Sequence, residues 1–241
     1  MGELTPLVIV TGILALVWVS FGTALGLILI YKYTKYKYKP LLYWGLSFIV
    51  LMKIWWAVGI NFLLILMGRD VMSLEIYTLI SFGVVPLDFI FWGMAWTYVV
   101  YKERFKLGLS ILVIYGIVAQ MIFWTLFFTD VNLLVSQKTP LGCVPIGLLL
   151  LLSTIQIFAF ILLAVILCYK GFKSKDPEIR VKGLLFLGYA LSLFIGLMID
   201  SMYIDYLSIF ISRAFYITSG VLLYIYLVWP DWAKKILLRK K

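Results

Sequence analysis

Seven apolar segments, each long enough to cross a lipid bilayer, constrain this sequence more than any other feature. An α-helix needs about 20 mainly apolar residues to cross about 30 Å of hydrocarbon. The segments are approximately 7–31, 41–67, 75–101, 107–129, 144–169, 182–204 and 206–229. They are continuous apolar runs, whereas the strands of a membrane β-barrel alternate apolar and polar residues. The sequence therefore predicts an all-α integral membrane protein, with one seven-helix domain over residues 1–241.

The composition excludes a soluble globular domain. Hydrophobic residues make up 64% of the chain and charged residues 13%. A typical soluble domain is about half apolar and about a quarter charged. The solvent for most of this surface is therefore expected to be lipid, in a multi-pass protein of the cell membrane.

The basic residues of the connectors indicate how the helices are oriented. They concentrate in alternate connectors: Lys32, Lys35, Lys37, Lys39, Lys102, Arg104, Lys106, Lys170, Lys173, Lys175, Arg180 and Lys182. The remaining connectors carry only Arg69 and Lys138. Because lysine and arginine are retained on the cytoplasmic side, we expect the N-terminus outside and the C-terminus inside. Segment 230–241 is then a short basic cytoplasmic tail.

The net charge of +10 is explained by this topology. Basic loops at the cytoplasmic surface attract anionic lipid headgroups. The expected partners are the lipid bilayer, its anionic headgroups and a membrane or cytoplasmic protein. Nucleic acid is not expected to be a partner.

Four ionisable residues lie inside the apolar segments. Such groups are costly in hydrocarbon and are candidates for function. Lys53 and Asp88 fall near the middle of consecutive segments, and Asp200 and Arg213 fall in the outer third of the last two. The signs and depths predict two ion pairs, Lys53 with Asp88 and Asp200 with Arg213. Each pair either lines a functional site or joins two helices as a structural contact.

Uncharged polar residues add to a candidate intramembrane site. Asn61, Gln120 and Gln156 are placed at a similar depth to the first pair. They either hydrogen-bond between helices as packing contacts or border a ligand cavity. Pro86 has no backbone N–H to donate, so it predicts a kink beside Asp88.

The sequence offers no catalytic or metal-binding constellation. It contains no histidine and only two cysteines, Cys143 and Cys168. Histidine-ligated haem, histidine-based zinc sites and Ser-His-Asp triads are therefore excluded for this chain. We expect no enzyme activity, no metal and no cofactor.

Two stretches carry a resemblance to a known family: DPEIRVKGLLFLG at 176–188 and LVWPDWAKK at 227–235. They resemble the seven-helix sensor regions of prokaryotic, especially archaeal, signalling proteins such as histidine kinases. In that family an acidic-Pro start precedes the sixth helix and a Pro-aromatic turn ends the seventh. No effector sequence follows Lys241, so the resemblance implies a sensor or receptor-like module that signals through a separate partner. Microbial rhodopsins are similar in size and topology, but the seventh segment here has no lysine to bind retinal.

Two other functions remain open. The first and last three segments have the same orientation, as a transporter built from three, one and three helices requires. The alternative to both is an accessory subunit of a larger membrane complex, in which the buried charges stabilise assembly.

Overall fold

Helices make up most of the chain in the computed structural model, which describes residues 4–100, 102–202 and 206–238. The helices are α1 (Pro6–Tyr36), α2 (Lys39–Leu51), α3 (Lys53–Leu66), α4 (Leu74–Phe82), α5 (Val85–Val100), α6 (Phe105–Thr129), α7 (Gly147–Phe172), α8 (Pro177–Met202), α9 (Tyr206–Val228) and α10 (Asp231–Leu237). The predicted segment ends at 101 and 204, and tail residues 239–241, lie outside the described residues.

Seven stretches of the described chain are helical, long and apolar enough to cross a membrane. They are Pro6–Tyr36, Lys39–Leu66, Leu74–Val100, Lys102–Thr129, Gly147–Phe172, Pro177–Asp200 and Leu207–Val228. The prediction of seven such helices is confirmed by length and composition. Segment five starts at Gly147, three residues later than predicted, because Cys143–Pro145 form a β-strand.

The second and third segments are each divided into two helices. Met52 separates α2 from α3 by a single residue, whose φ of −63° and ψ of −18° remain right-handed helical, and residues 83 and 84 separate α4 from α5. The second interruption agrees with the kink predicted from Pro86, whereas the first was not predicted. Pro86 lies at the second position of α5, where its missing N–H is tolerated.

The chain forms two compact units, Met1–Thr154 and Ile155–Lys241, and α7 runs across the boundary. In the first unit, α1 packs against α2 and α3, α2 against α5, α3 against α4, and α5 against α6. Glycines permit close approach: a Cβ at Gly22 would lie 2.2 Å from Met52 Sδ. Gly22 therefore lets α1 approach the junction of α2 and α3 closely.

A β-hairpin lies between α6 and α7. Strand β1 (Val135–Gln137) pairs antiparallel with β2 (Cys143–Pro145). Leu134, Val135 and Leu141 are almost fully buried in one apolar cluster with residues of α1, α3, α4 and α6. The hairpin is therefore part of the core of the first unit.

The second unit contains the rest of α7 with α8, α9 and α10. Helices α8 and α9 pack along much of their length. The backbones of α7 and α8 also approach closely, because a Cβ on Gly171 would lie 3.2 Å from Gly183 Cα. Phe160 of α7 packs edge-on against Tyr189 of α8, with ring centroids 5.5 Å apart.

Candidate functional site

Lys53 and Asp88 each lie directly after a helix interruption in the first unit. Lys53 is the first residue of α3, and Asp88 is in the first turn of α5. The N-terminal end of a helix carries a partial positive charge. That charge favours the carboxylate of Asp88 and disfavours the ammonium group of Lys53.

The two charged side chains do not form a direct ion pair. Lys53 Nζ and Asp88 Oδ1 are buried and have no hydrogen-bond partner among the described residues. Among the described residues, no ion pair joins Lys53 to Asp88. The two charges are nevertheless close enough to act on each other. A buried charged atom without a hydrogen-bond partner is unfavourable, and both Lys53 Nζ and Asp88 Oδ1 are in that position.

The backbone beside Asp88 is tied to α2. Ser47 Oγ donates a hydrogen bond to the Asp88 carbonyl at 3.0 Å. Trp44 of α2 also packs edge-on against Trp92, one turn after Asp88, with centroids 6.0 Å apart. Further hydroxyls of the unit are buried without a partner among the described residues: Thr23 Oγ1, Thr78 Oγ1 and Ser81 Oγ. These hydroxyls were not predicted as site residues, because serine and threonine are common in membrane helices and carry no distinguishing pattern.

Gln120 stabilises the interruption before Pro86. Its Nε2 donates to the Gly83 carbonyl at 2.6 Å. In a continuous helix this carbonyl would accept from Leu87, whose N–H instead donates to Val84 O at 3.1 Å. Gln120 therefore satisfies a backbone group that the interruption releases, as non-helical backbone at membrane depth requires.

Asn61 lies eight residues after Lys53 on α3 and bonds to connectors of the first unit. Asn61 lies near the C-terminal end of α3, where its Nδ2 donates to Leu141 O at 3.3 Å. Its Oδ1 accepts from Met72 N at 2.9 Å. Asn61 thus joins the 67–73 connector to the hairpin and borders a small cleft with Tyr77 and Cys143. Its role in the structure is to hold two connectors together.

Replacing Asn61 with leucine is expected to destabilise this end of the first unit. The substitution leaves Leu141 O and Met72 N without a partner, and each orphaned buried group costs about 1–3 kcal/mol. Hydrogen exchange should show faster exchange at 67–73 and 135–145, with a lower unfolding midpoint in detergent. Asn132→Leu is the control, since Asn132 is exposed and should change stability by less than about 0.5 kcal/mol. Equal effects of the two variants would contradict the role of Asn61.

Asp200 and Arg213 meet in the second unit. Arg213 Nη1 donates to Asp200 Oδ2 at 3.0 Å, and the two side chains are 6% and 27% exposed, respectively. Tyr216 OH donates to the same oxygen at 3.2 Å, and Ser212 Oγ donates to Oδ1 at 3.4 Å. The single Ser212 hydroxyl proton also lies within reach of Ile209 O at 2.9 Å. The firm donors to this carboxylate of α8 are therefore Arg213 and Tyr216 of α9. This hydrogen-bonded network fits a structural contact between the two helices.

Gln156 also belongs to the second unit. Its Nε2 is buried and has no hydrogen-bond partner in the described parts of the chain. Gln156 remains a prediction as a site residue.

A comparison with protein-family models, curated proteins and solved structures finds no match. The described residues also contain no group of three or more Cys, Asp or Glu side chains placed to hold a metal ion. A buried ammonium and a buried carboxylate can bind opposite charges, exchange protons or change partners when the helices move.

Proposed function

We propose that this chain is a multi-pass membrane protein with a sensor or receptor-like role, which signals through a separate protein. The observation that carries the proposal is the pair of unpartnered charges, Lys53 and Asp88, beside two helix interruptions. Burial of such groups in hydrocarbon is costly. An arrangement that weakens the fold, and that a small movement can relieve, is suited to switching between two states.

The interruptions supply a place where the helices can move. Residues 83 and 84 separate α4 from α5, and Met52 separates α2 from α3. Hinge motions use a few residues at the ends of helices. A change in the contacts of Lys53 or Asp88 can therefore shift α2 and α5 relative to each other, because these two helices are packed together.

The hairpin favours a sensor over a transporter. A transporter must open a water-filled path to its site from each side of the membrane. The connector orientation proposed from the basic residues puts the hairpin outside, where Leu134, Val135 and Leu141 are buried with Phe62 and Phe123. Opening that side would dismantle this apolar cluster, whereas a sensor needs only a limited repacking.

The test is recovery of the protein with its partner from the host membrane in a mild detergent. We compare the wild type with the charge-free variant Lys53→Met/Asp88→Leu. The expected result is a stoichiometric signalling protein with the wild type and a changed yield or activity of that complex with the variant. Lys138→Gln, an exposed substitution in the hairpin turn, should behave as the wild type. An identical complex in all three would contradict the role of the two charges.

A transporter is the second candidate, and the two helix interruptions favour it. Discontinuous helices often form the solute sites of transporters near the bilayer midplane. Exchange of a labelled solute across liposomes that contain only this protein, abolished in Lys53→Met/Asp88→Leu, would establish transport and reject the sensor. Recovery of one large stable assembly that is unaffected by that variant would instead establish an accessory subunit.

A further inference from the structure

The last helix is separated from α9 by a sharp and strained turn. Trp229 has a φ of 48°, in the left-handed region, and Pro230 caps the start of α10. A residue other than glycine is unfavourable in this region, so the surrounding contacts must hold the turn. Trp229 is 7% exposed and packs with Ile225 and Ala233. Lys182 Nζ of α8 lies 4.9 Å from its ring centroid.

Helix α10 has one packed face and one open apolar face. Ala233 is fully buried against the bundle side. Trp232 and Ile236, four residues apart and so on one face of the helix, are 54% and 66% exposed. Lys235 is exposed beside them, and the Lys234 side chain is 43% exposed. The turn at Trp229 therefore presents a tryptophan, an isoleucine and two lysines on the outside.

We propose that α10 lies in the headgroup layer of the cytoplasmic leaflet, with Trp232 and Ile236 inserted and with Lys234 and Lys235 bound to anionic lipid phosphates. The inference rests on the proposal that the chain spans the membrane. The helix starts three residues after α9 ends at Val228, so it begins at the membrane surface. Tryptophan is enriched at this depth, and a polar face rich in lysine beside an apolar face is typical of interfacial helices.

The charge pattern identifies lipid as the occupant of this face. Asp231 Oδ1 accepts from Lys234 Nζ at 3.4 Å, but its side chain is 90% exposed, and an exposed pair of this kind is weak enough to exchange for a lipid phosphate. Lys235 has no acidic residue paired with it among the described ion pairs. The tail continues with Arg239, Lys240 and Lys241 in the sequence. Each lysine or arginine near an anionic surface contributes about a fivefold gain in binding. The apolar pair and the basic residues together match an anionic bilayer surface.

The test uses a water-sensitive fluorophore on cysteine, with the protein in nanodiscs of phosphatidylcholine with or without phosphatidylglycerol. Labelled Ile236→Cys should be shielded from iodide in the anionic discs. Lys234→Gln and Lys235→Gln should each lower the ratio of shielded to exposed label about fivefold. High salt should also lower it, because it screens surface charge. Lys235 is exposed and the Lys234–Asp231 pair is a weak surface pair, so both substitutions should shift the unfolding midpoint little.

Two labelled reference positions, one expected in water and one expected in lipid, distinguish failure of the interfacial helix from failure of the membrane proposal. Label at Lys175→Cys, in the exposed connector before α8, should be fully quenched by iodide. Label at Val221→Cys, exposed on α9, should be quenched by spin-labelled lipid tails. If Ile236→Cys is as open to iodide as Lys175→Cys in both kinds of disc, or is shielded only when a second protein is added, the interfacial helix is rejected. If Val221→Cys is also untouched by lipid, the membrane proposal itself fails.

Discussion

Replacing Asp200 with leucine is expected to lower the free energy of unfolding by about 3–5 kcal/mol, the usual cost of leaving a buried charge without its partner. Arg213 would lose the carboxylate that its Nη1 contacts at 3.0 Å, and its side chain is only 6% exposed. Tyr216 would lose its acceptor as well. Unfolding in detergent, followed by circular dichroism, measures the loss.

The reverse substitution is expected to cost less. Arg213→Met leaves Asp200 with Tyr216 as a donor, and the carboxylate side chain is 27% exposed. The double variant Asp200→Leu/Arg213→Met should recover much of the loss of Asp200→Leu. Glu178→Gln is the control, since its pair with Lys182 is 37% and 31% exposed and such pairs contribute about 0–1 kcal/mol. A loss for Asp200→Leu no larger than the control would contradict the network.

Lys53 and Asp88 are expected to behave differently, because Lys53 Nζ and Asp88 Oδ1 have no hydrogen bond to each other or to other described side chains. Each single variant, Lys53→Met or Asp88→Leu, removes the charge that acts on the other and should lower the midpoint. The double variant removes both buried charges. It should be at least as stable as the wild type, and replacement of buried charge pairs by apolar groups can add about 1–4 kcal/mol.

Comparing the unfolding free energies of the two single variants with that of the double variant shows whether Lys53 and Asp88 interact. Residues that interact show a coupling free energy of about 0.5–3 kcal/mol. If the losses in unfolding free energy of the two single variants simply add, Lys53 and Asp88 do not interact, and the functional role proposed for them as a pair is wrong. If the double variant is stable but loses its signalling complex, the charges are kept for function. If stability and the complex both recover, a structural contact is a sufficient explanation.

The long helices are predictable from the sequence because their apolar length alone distinguishes them. The break before α5 is predictable as well, because Pro86 cannot donate a backbone hydrogen bond. The break at Met52 has no such signal, since neither proline nor glycine is present there. In the structure Met52 packs where α1 has Gly22, a contact between residues far apart in the chain.

The hairpin and the role of Asn61 also depend on tertiary contacts. Strands β1 and β2 have three residues each, too few for an alternating pattern to be recognised. Their stability comes from burial of the neighbouring Leu134 and Leu141. The partners of Asn61 are backbone groups of two connectors, which the sequence does not place beside it. The sequence indicated only that Asn61 lies near the end of its helix, where a polar side chain can reach a connector.

The orientation of the chain in the membrane is the claim on which the depth of every buried charge depends, and cysteine accessibility tests it most directly. Lys138 and Lys175 lie in connectors proposed to be on opposite sides, and both are exposed. Each substitution to cysteine removes one lysine, so the two variants are matched.

The native cysteines give little background in this measurement. Cys168 is buried, and burial raises the pKa of the Cys143 thiol to about 11. Since the thiolate is the reactive form, a raised pKa slows its labelling at neutral pH. With a membrane-impermeant maleimide on intact cells, Lys138→Cys should be labelled, whereas Lys175→Cys should be labelled only after permeabilisation. Labelling of Lys175→Cys in intact cells, with Lys138→Cys protected, would contradict the account.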